Sequence, residues 1–194
     1  KTEYYLEELD GSYRLEETVP GSGKTDTEVK AVEKAYTGFT LDKTVEGTKD
    51  SGTITGDGSL VLKLYYTRNS YKVTYIYEGT VPAGASDLPA EATYKYGAEV
   101  SVADAATAPG YTFNGWSRED FTMPAEDVTI SGTFTAKGDT PYKTEYYLEE
   151  LDGSYKLEET VPGSGTTDQV AVAVEKTYTG FTLDKTVEGT KDSG

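Results

Sequence analysis

The chain has 194 residues, no cysteine, no histidine, and 34 acidic against 18 basic side chains, for a net charge of −16. That inventory removes disulfide staples, thiol nucleophiles, imidazole bases and the usual zinc ligand sets, and with them an ordinary hydrolase site. An acidic surface repels phosphate backbones and anionic bilayers, which excludes nucleic acid, and no stretch reaches the roughly 20 apolar residues of a membrane-spanning helix.

The opening segment KTEYYLEEL alternates, with Thr2, Tyr4 and Leu6 on one face and Glu3, Tyr5 and Glu7 on the other. Asp10-Gly11 then supplies a tight hairpin turn, and Tyr13 and Leu15 begin the return strand. After Pro20-Gly21-Ser22-Gly23, the segment Lys24 to Ala35 can be read as a short helix capped at Thr25-Asp26 or as a strand. Leu60, Leu62, Leu64 and Tyr66 alternate with Val61, Lys63 and Tyr65, the pattern of a central strand. A short joint, Arg68-Asn69-Ser70, follows. Tyr71, Val73, Tyr75 and Tyr77 then alternate in the opening strand of the next module, and Val128, Ile130, Gly132 and Phe134 in its closing strand. Between them, Pro109-Gly110-Tyr111-Thr112-Phe113 stands where the first module has Tyr36-Thr37-Gly38-Phe39, suggesting one architecture for both.

Lys1 to Gly52 returns as Lys143 to Gly194, offset by 142 residues, with seven differences, at Arg14, Lys24, Thr27, Glu28, Val29, Lys30 and Ala35. The intervening stretch is unlike either copy, so the chain reads as modules A, B and A′. The expected boundaries are 1–68, 70–136 and 142–194, with 137–141 a polar linker. Module A′ stops before any counterpart of Thr53 to Thr67. It is therefore expected to lack its central strand, and the parent protein to be longer.

Module A resembles the MucBP-like repeats of Gram-positive surface proteins (Lys1 to Thr67, and Tyr142 to Gly194). The resemblance rests on its Tyr-Tyr opening strand, Asp-Gly hairpin, Gly-Phe segment and closing Tyr65-Tyr66. Module B, Tyr71 to Ala136, resembles the Listeria–Bacteroides or internalin B-repeat family through GYTFNGW (Gly110 to Trp116) and FTMPAEDVTISGTF (Phe121 to Phe134). These resemblances imply a β-rich α+β fold: tandem small β-grasp, ubiquitin-like modules in an elongated array, extracellular and attached to a bacterial cell wall. The absence of cysteine accords with a bacterium of one membrane. Neither family brings a catalytic motif or a cofactor.

Adjacent tyrosines must point to opposite sheet faces, so Tyr5, Tyr65 and Tyr147 are the candidate ligand contacts, against the plainer role of packing across an open sheet face. Trp116 reads as core in preference to a sugar platform. Asp10 and Asp57 lack the spacing of a calcium loop and read as turn residues. The carboxylate pairs Glu7-Glu8, Glu16-Glu17 and Glu119-Asp120 read as solvated charge, and Asn69 and Asn114, the available isopeptide asparagines, sit in turns. The resulting expectation is a non-enzymatic stalk whose neighbours are repeats of its own chain. Weak multivalent binding to host mucin or glycoprotein is the alternative, and accessory repeats of a secreted glycan-degrading enzyme a second.

Overall fold

The computed structural model describes residues 1–194, and no element of it is helical. This overturns the α+β expectation: the chain is all-β.

In module A, β1 (Thr2–Glu7) and β2 (Tyr13–Val19) form the expected antiparallel hairpin. Gly11 takes φ 86° in its turn, and the Asp10 carboxylate accepts the Ser12 N–H at 2.9 Å. The ambiguous segment becomes a strand, β3 (Glu28–Lys30), and it later pairs antiparallel with β5 (Ser51–Thr53); β4 (Phe39–Leu41) lies between them in sequence. Asp26 sits at φ 61°, a left-handed turn that a helix starting at Thr25 could not contain. Central β6 (Leu62–Arg68) runs parallel to β1 and antiparallel to β4, completing a sheet of order β2-β1-β6-β4. Tyr4, Leu6, Leu64 and Tyr66 form its core, with Leu64 fully buried; Leu60 falls outside the strand and is half-buried.

Module B contains β7 (Ser70–Tyr77), β8 (Ala92–Lys95), β9 (Glu99–Val100), β10 (Tyr111–Trp116), β11 (Phe121–Thr122) and β12 (Val128–Ala136). Its sheet order, β8-β7-β12-β10, repeats that of module A: hairpin partner, first strand, last strand, aromatic strand. Shared architecture was legible in the two Gly-aromatic segments. No helix fills the connection after β7, because Gly79, Pro82, Gly84 and Pro89 interrupt any helical ladder.

Module A′ supplies only a hairpin, β13 (Thr140–Glu149) with β14 (Tyr155–Gly165), and an isolated bridge between Val172 and Ser193. By packing, the chain forms two compact units. Unit one comprises Lys1–Ile76, Leu88–Asp104 and Trp116–Ser131; unit two comprises Tyr77–Asp87, Ala105–Gly115 and Gly132–Gly194. The first holds both buried clusters, that of module A and that of Val73, Tyr75, Val100, Met123, Val128 and Ile130. The second is organised by the ring contacts of Phe134 with Tyr77 and Phe113, at 5.1 and 5.2 Å, and by Thr167, whose hydroxyl donates to the Gly110 carbonyl at 2.7 Å. The 137–141 stretch is less free than its composition suggests: Lys137 N–H bonds the Gly110 carbonyl at 2.9 Å, and β13 already begins at Thr140.

Six of the seven differences between the A copies lie in Lys24 to Ala35, and both Glu28 and Lys30 are exposed. A charge-for-valine exchange there costs no buried pairing. Glu28→Val with Lys30→Val should change the stability of module A by less than about 1 kcal/mol. Urea unfolding checks this, and a loss of several kcal/mol would show that β3 faces the core.

Candidate functional site

The outer face of the module A sheet brings two of the three candidate tyrosines together. Tyr5 and Tyr65 are register partners on the parallel strands, and their rings stack at 4.7 Å with 15° between planes. Tyr13, on β2, meets Tyr65 edge-on at 5.1 Å, and its hydroxyl lies 3.1 Å from that of Thr67. Each of Tyr5 and Tyr65 therefore covers one ring face of the other. Tyr147, the counterpart of Tyr5, belongs to module A′, where it is 49% exposed, its hydroxyl donating to Glu145 at 2.8 Å.

Electrostatics fix this face. The Tyr5 hydroxyl donates to Glu3 at 2.7 Å, and that bond with partial burial pushes the phenol up to about 12. Lys1, 2.6 Å from Glu3, together with the Tyr5 hydroxyl holds that carboxyl below the usual carboxylate range. On the core side Tyr36 is also pushed up to about 12, by burial first and by Glu17 beside it. An unfolded tyrosine ionises near ~10, so both folded values lie above the unfolded one. Their contribution is present in full below pH ~10 and is lost as pH climbs through about 12. Module A should therefore lose stability across that alkaline window, and Tyr5→Phe should flatten part of the loss when unfolding is followed against pH. An identical pH profile in the variant would contradict the assignment.

The joint between β6 and β7 gathers more chemistry than the tyrosine face. Asn69 is the whole connection. Its N–H donates to the Gly38 carbonyl at 2.9 Å and its carbonyl accepts the Tyr96 N–H at 2.8 Å. Its side-chain oxygen accepts the Thr40 hydroxyl at 2.7 Å. Beside it, Arg68 donates through Nε to the Glu7 carbonyl (2.6 Å) and through Nη1 to the Tyr96 carbonyl (2.7 Å), and its guanidinium lies 5.0 Å from the Phe39 ring centre. Phe39 in turn meets Tyr96 edge-on at 5.8 Å.

Glu7 corrects the reading of Glu7-Glu8 as solvated charge. It is only 7% exposed, one oxygen accepting the Arg68 N–H at 2.8 Å and the other taking Lys95 at 2.7 Å. A carboxylate tolerates such burial when paired and hydrogen-bonded, and here the pairing joins modules A and B. Strand alternation placed Glu7 on the outer face; Arg68 and Lys95, 61 and 88 residues away, reach it there. Gly38 is part of the same fit. It has φ 79°, and a Cβ added there would overlap the Tyr96 ring, whereas its counterpart Gly180 has φ 83° and open space around it.

The remaining candidates fall to ordinary structure. Trp116 packs on Tyr75 at 4.9 Å and donates its indole N–H to the Asp104 carbonyl, a core role. The Thr55 hydroxyl and the Ser59 N–H hold the Asp57 carboxyl down at about 2, which is turn chemistry, and the Asn114 amide donates to Thr133 and Thr135. No group of side chains is arranged to hold a metal ion.

Residues 71–141 match the Listeria-Bacteroides repeat domain. Among solved structures the chain is matched to Streptococcal High Identity Repeats in Tandem (SHIRT) domains 3-4 from a cell surface protein, with 17% identity over 70% of this chain and 97% of that one. The TM-score is 0.26, too loose to fix any strand-by-strand correspondence. No curated protein matches the chain. The MucBP-like reading of the A modules is not supported by these matches. What the family match supports is coarser: residues 71–141 form a repeat domain similar to the Listeria-Bacteroides repeat.

Proposed function

We propose that the chain is a non-enzymatic spacer from an extracellular, wall-attached bacterial surface protein, and that its working part is the stiff joint between modules A and B. The observation that carries this reading is the joint itself: one residue, Asn69, whose backbone is bonded on both sides, flanked by Arg68, which ties Glu7 of one module to Tyr96 of the next. A flexible linker would leave these groups to water. Spacing is preferred to weak binding of mucin or host glycoprotein because the tyrosine rings on the outer face are occupied by one another.

Because the chain has no cysteine, spin labels can be placed without competition at Glu46→Cys in module A and Glu126→Cys in module B, both exposed. The inter-label distance distribution should be narrow and should broaden in Arg68→Ala. That substitution removes the guanidinium that bonds the part-buried Glu7 and Tyr96 carbonyls, and hydrogen bonds to a charged group are worth roughly 1.5–3 kcal/mol each. Gly38→Ala should broaden it too, while Gly180→Ala should leave it untouched. A broad distribution in the parent chain would defeat the spacer reading.

A further inference from the structure

We propose that module A bears tension, its β1–β6 pair acting as a shear clamp; the biological use of the clamp rests on the spacer reading above, its mechanics on the sheet alone. A pull along the chain enters module A at the start of β1 and leaves at the end of β6. These strands are adjacent and parallel, in register from Thr2↔Leu62 to Leu6↔Tyr66. The two points of attachment thus lie at opposite ends of the pair, and tension drives the strands past each other along their axes. In that direction the ladder bonds share the load at once; peeling from one end would break them in succession.

Other contacts hold the same pair against sliding. At one end the Leu62 N–H donates to the Lys1 carbonyl at 2.9 Å. At the other, Arg68 grips Glu7 twice, through its backbone N–H on the carboxylate and its Nε on the carbonyl. On the inner face Tyr4, Leu6, Leu64 and Tyr66 must all leave the core for the strands to move, and on the outer face the stacked Tyr5 and Tyr65 are themselves register partners. A slip of one residue turns every side chain to the wrong face, so no intermediate register relieves the load. Module A′ carries the same opening strand without such a partner, only an antiparallel hairpin.

The test is single-molecule pulling of the full chain in two geometries, with handles on cysteines introduced at exposed positions. Lys1→Cys with Ser70→Cys loads the β1–β6 pair in shear. Leu9→Cys with Ser70→Cys pulls on the end that both strands share, and unzips it. Forced rupture reports the unfolding rate under load, so the two should be compared at one pulling speed. The shear pair should break at a force several-fold higher than the unzipping pair. Equal forces, with both variants showing native hydrogen exchange in residues 2–7 and 62–68 before pulling, would overturn the clamp. The outcome is separable from that of the labelling experiment: a narrow distance distribution with equal forces removes the clamp and leaves the spacer, and high shear force with a broad distribution does the reverse.

Discussion

Replacing Tyr4 by alanine is expected to unfold module A, whereas Tyr146→Ala, the same change in the same TEYYLE strand, should cost less than about 1 kcal/mol. The local surroundings of the two residues match closely. Each hydroxyl donates to a valine carbonyl, Val32 at 2.8 Å and Val174 at 2.6 Å, and a lysine lies over each ring, at 4.7 and 4.9 Å. What separates them is β6. Against Leu64 and Tyr66, Tyr4 is 2% exposed, while Tyr146 has no such strand beside it and is only half-buried. Truncating a large buried aromatic costs roughly 3–5 kcal/mol. A domain of this size has about 5 kcal/mol in total. Denaturation followed by residue-resolved NMR would separate the modules, and equal costs at the two sites would show that β6 is not what stabilises the first copy.

Adding a copy of Thr53–Thr67 after Gly194 should have the opposite effect, ordering a region that is open in the present chain. The edge of β13 is unpaired on the side where β1 holds β6, and Phe181 and Leu183, counterparts of the core-packed Phe39 and Leu41, are 45% and 55% exposed. A strand equivalent to β6 would bury counterparts of Leu62, Leu64 and Tyr66, at roughly 1.5–3 kcal/mol each. That sum is comparable to the whole stability of a small domain, about 5 kcal/mol. Hydrogen exchange of residues 143–194 should be fast in the present chain and strongly protected in the extended one. Equal protection in dilute, monomeric samples of both would mean that the centre of this sheet has been misplaced.

The strands themselves were legible in the sequence because a sheet writes its two faces as alternation. Tyr4 and Leu6, Leu62 and Leu64, Val73 and Tyr75, and Val128 and Ile130 were all on the faces that became buried. The Asp-Gly hairpin and the repeat offset were equally plain, since turn chemistry and self-similarity are local properties of the chain. Three things required the tertiary structure. Whether Lys24 to Ala35 formed helix or strand depended on Ser51–Thr53 arriving to pair with Glu28–Lys30, and the helix assumed from family resemblance did not form. The stacking of Tyr5 on Tyr65 depended on parallel pairing of segments about sixty residues apart. And Glu7, indistinguishable in sequence from the solvated acids around it, became the buried centre of the joint because Arg68 and Lys95 reach it from later in the chain. Alternation states which residues share a face. It carries no information about what will cover that face, and at the joint of this protein the covering groups decide whether Glu7 is solvated or buried.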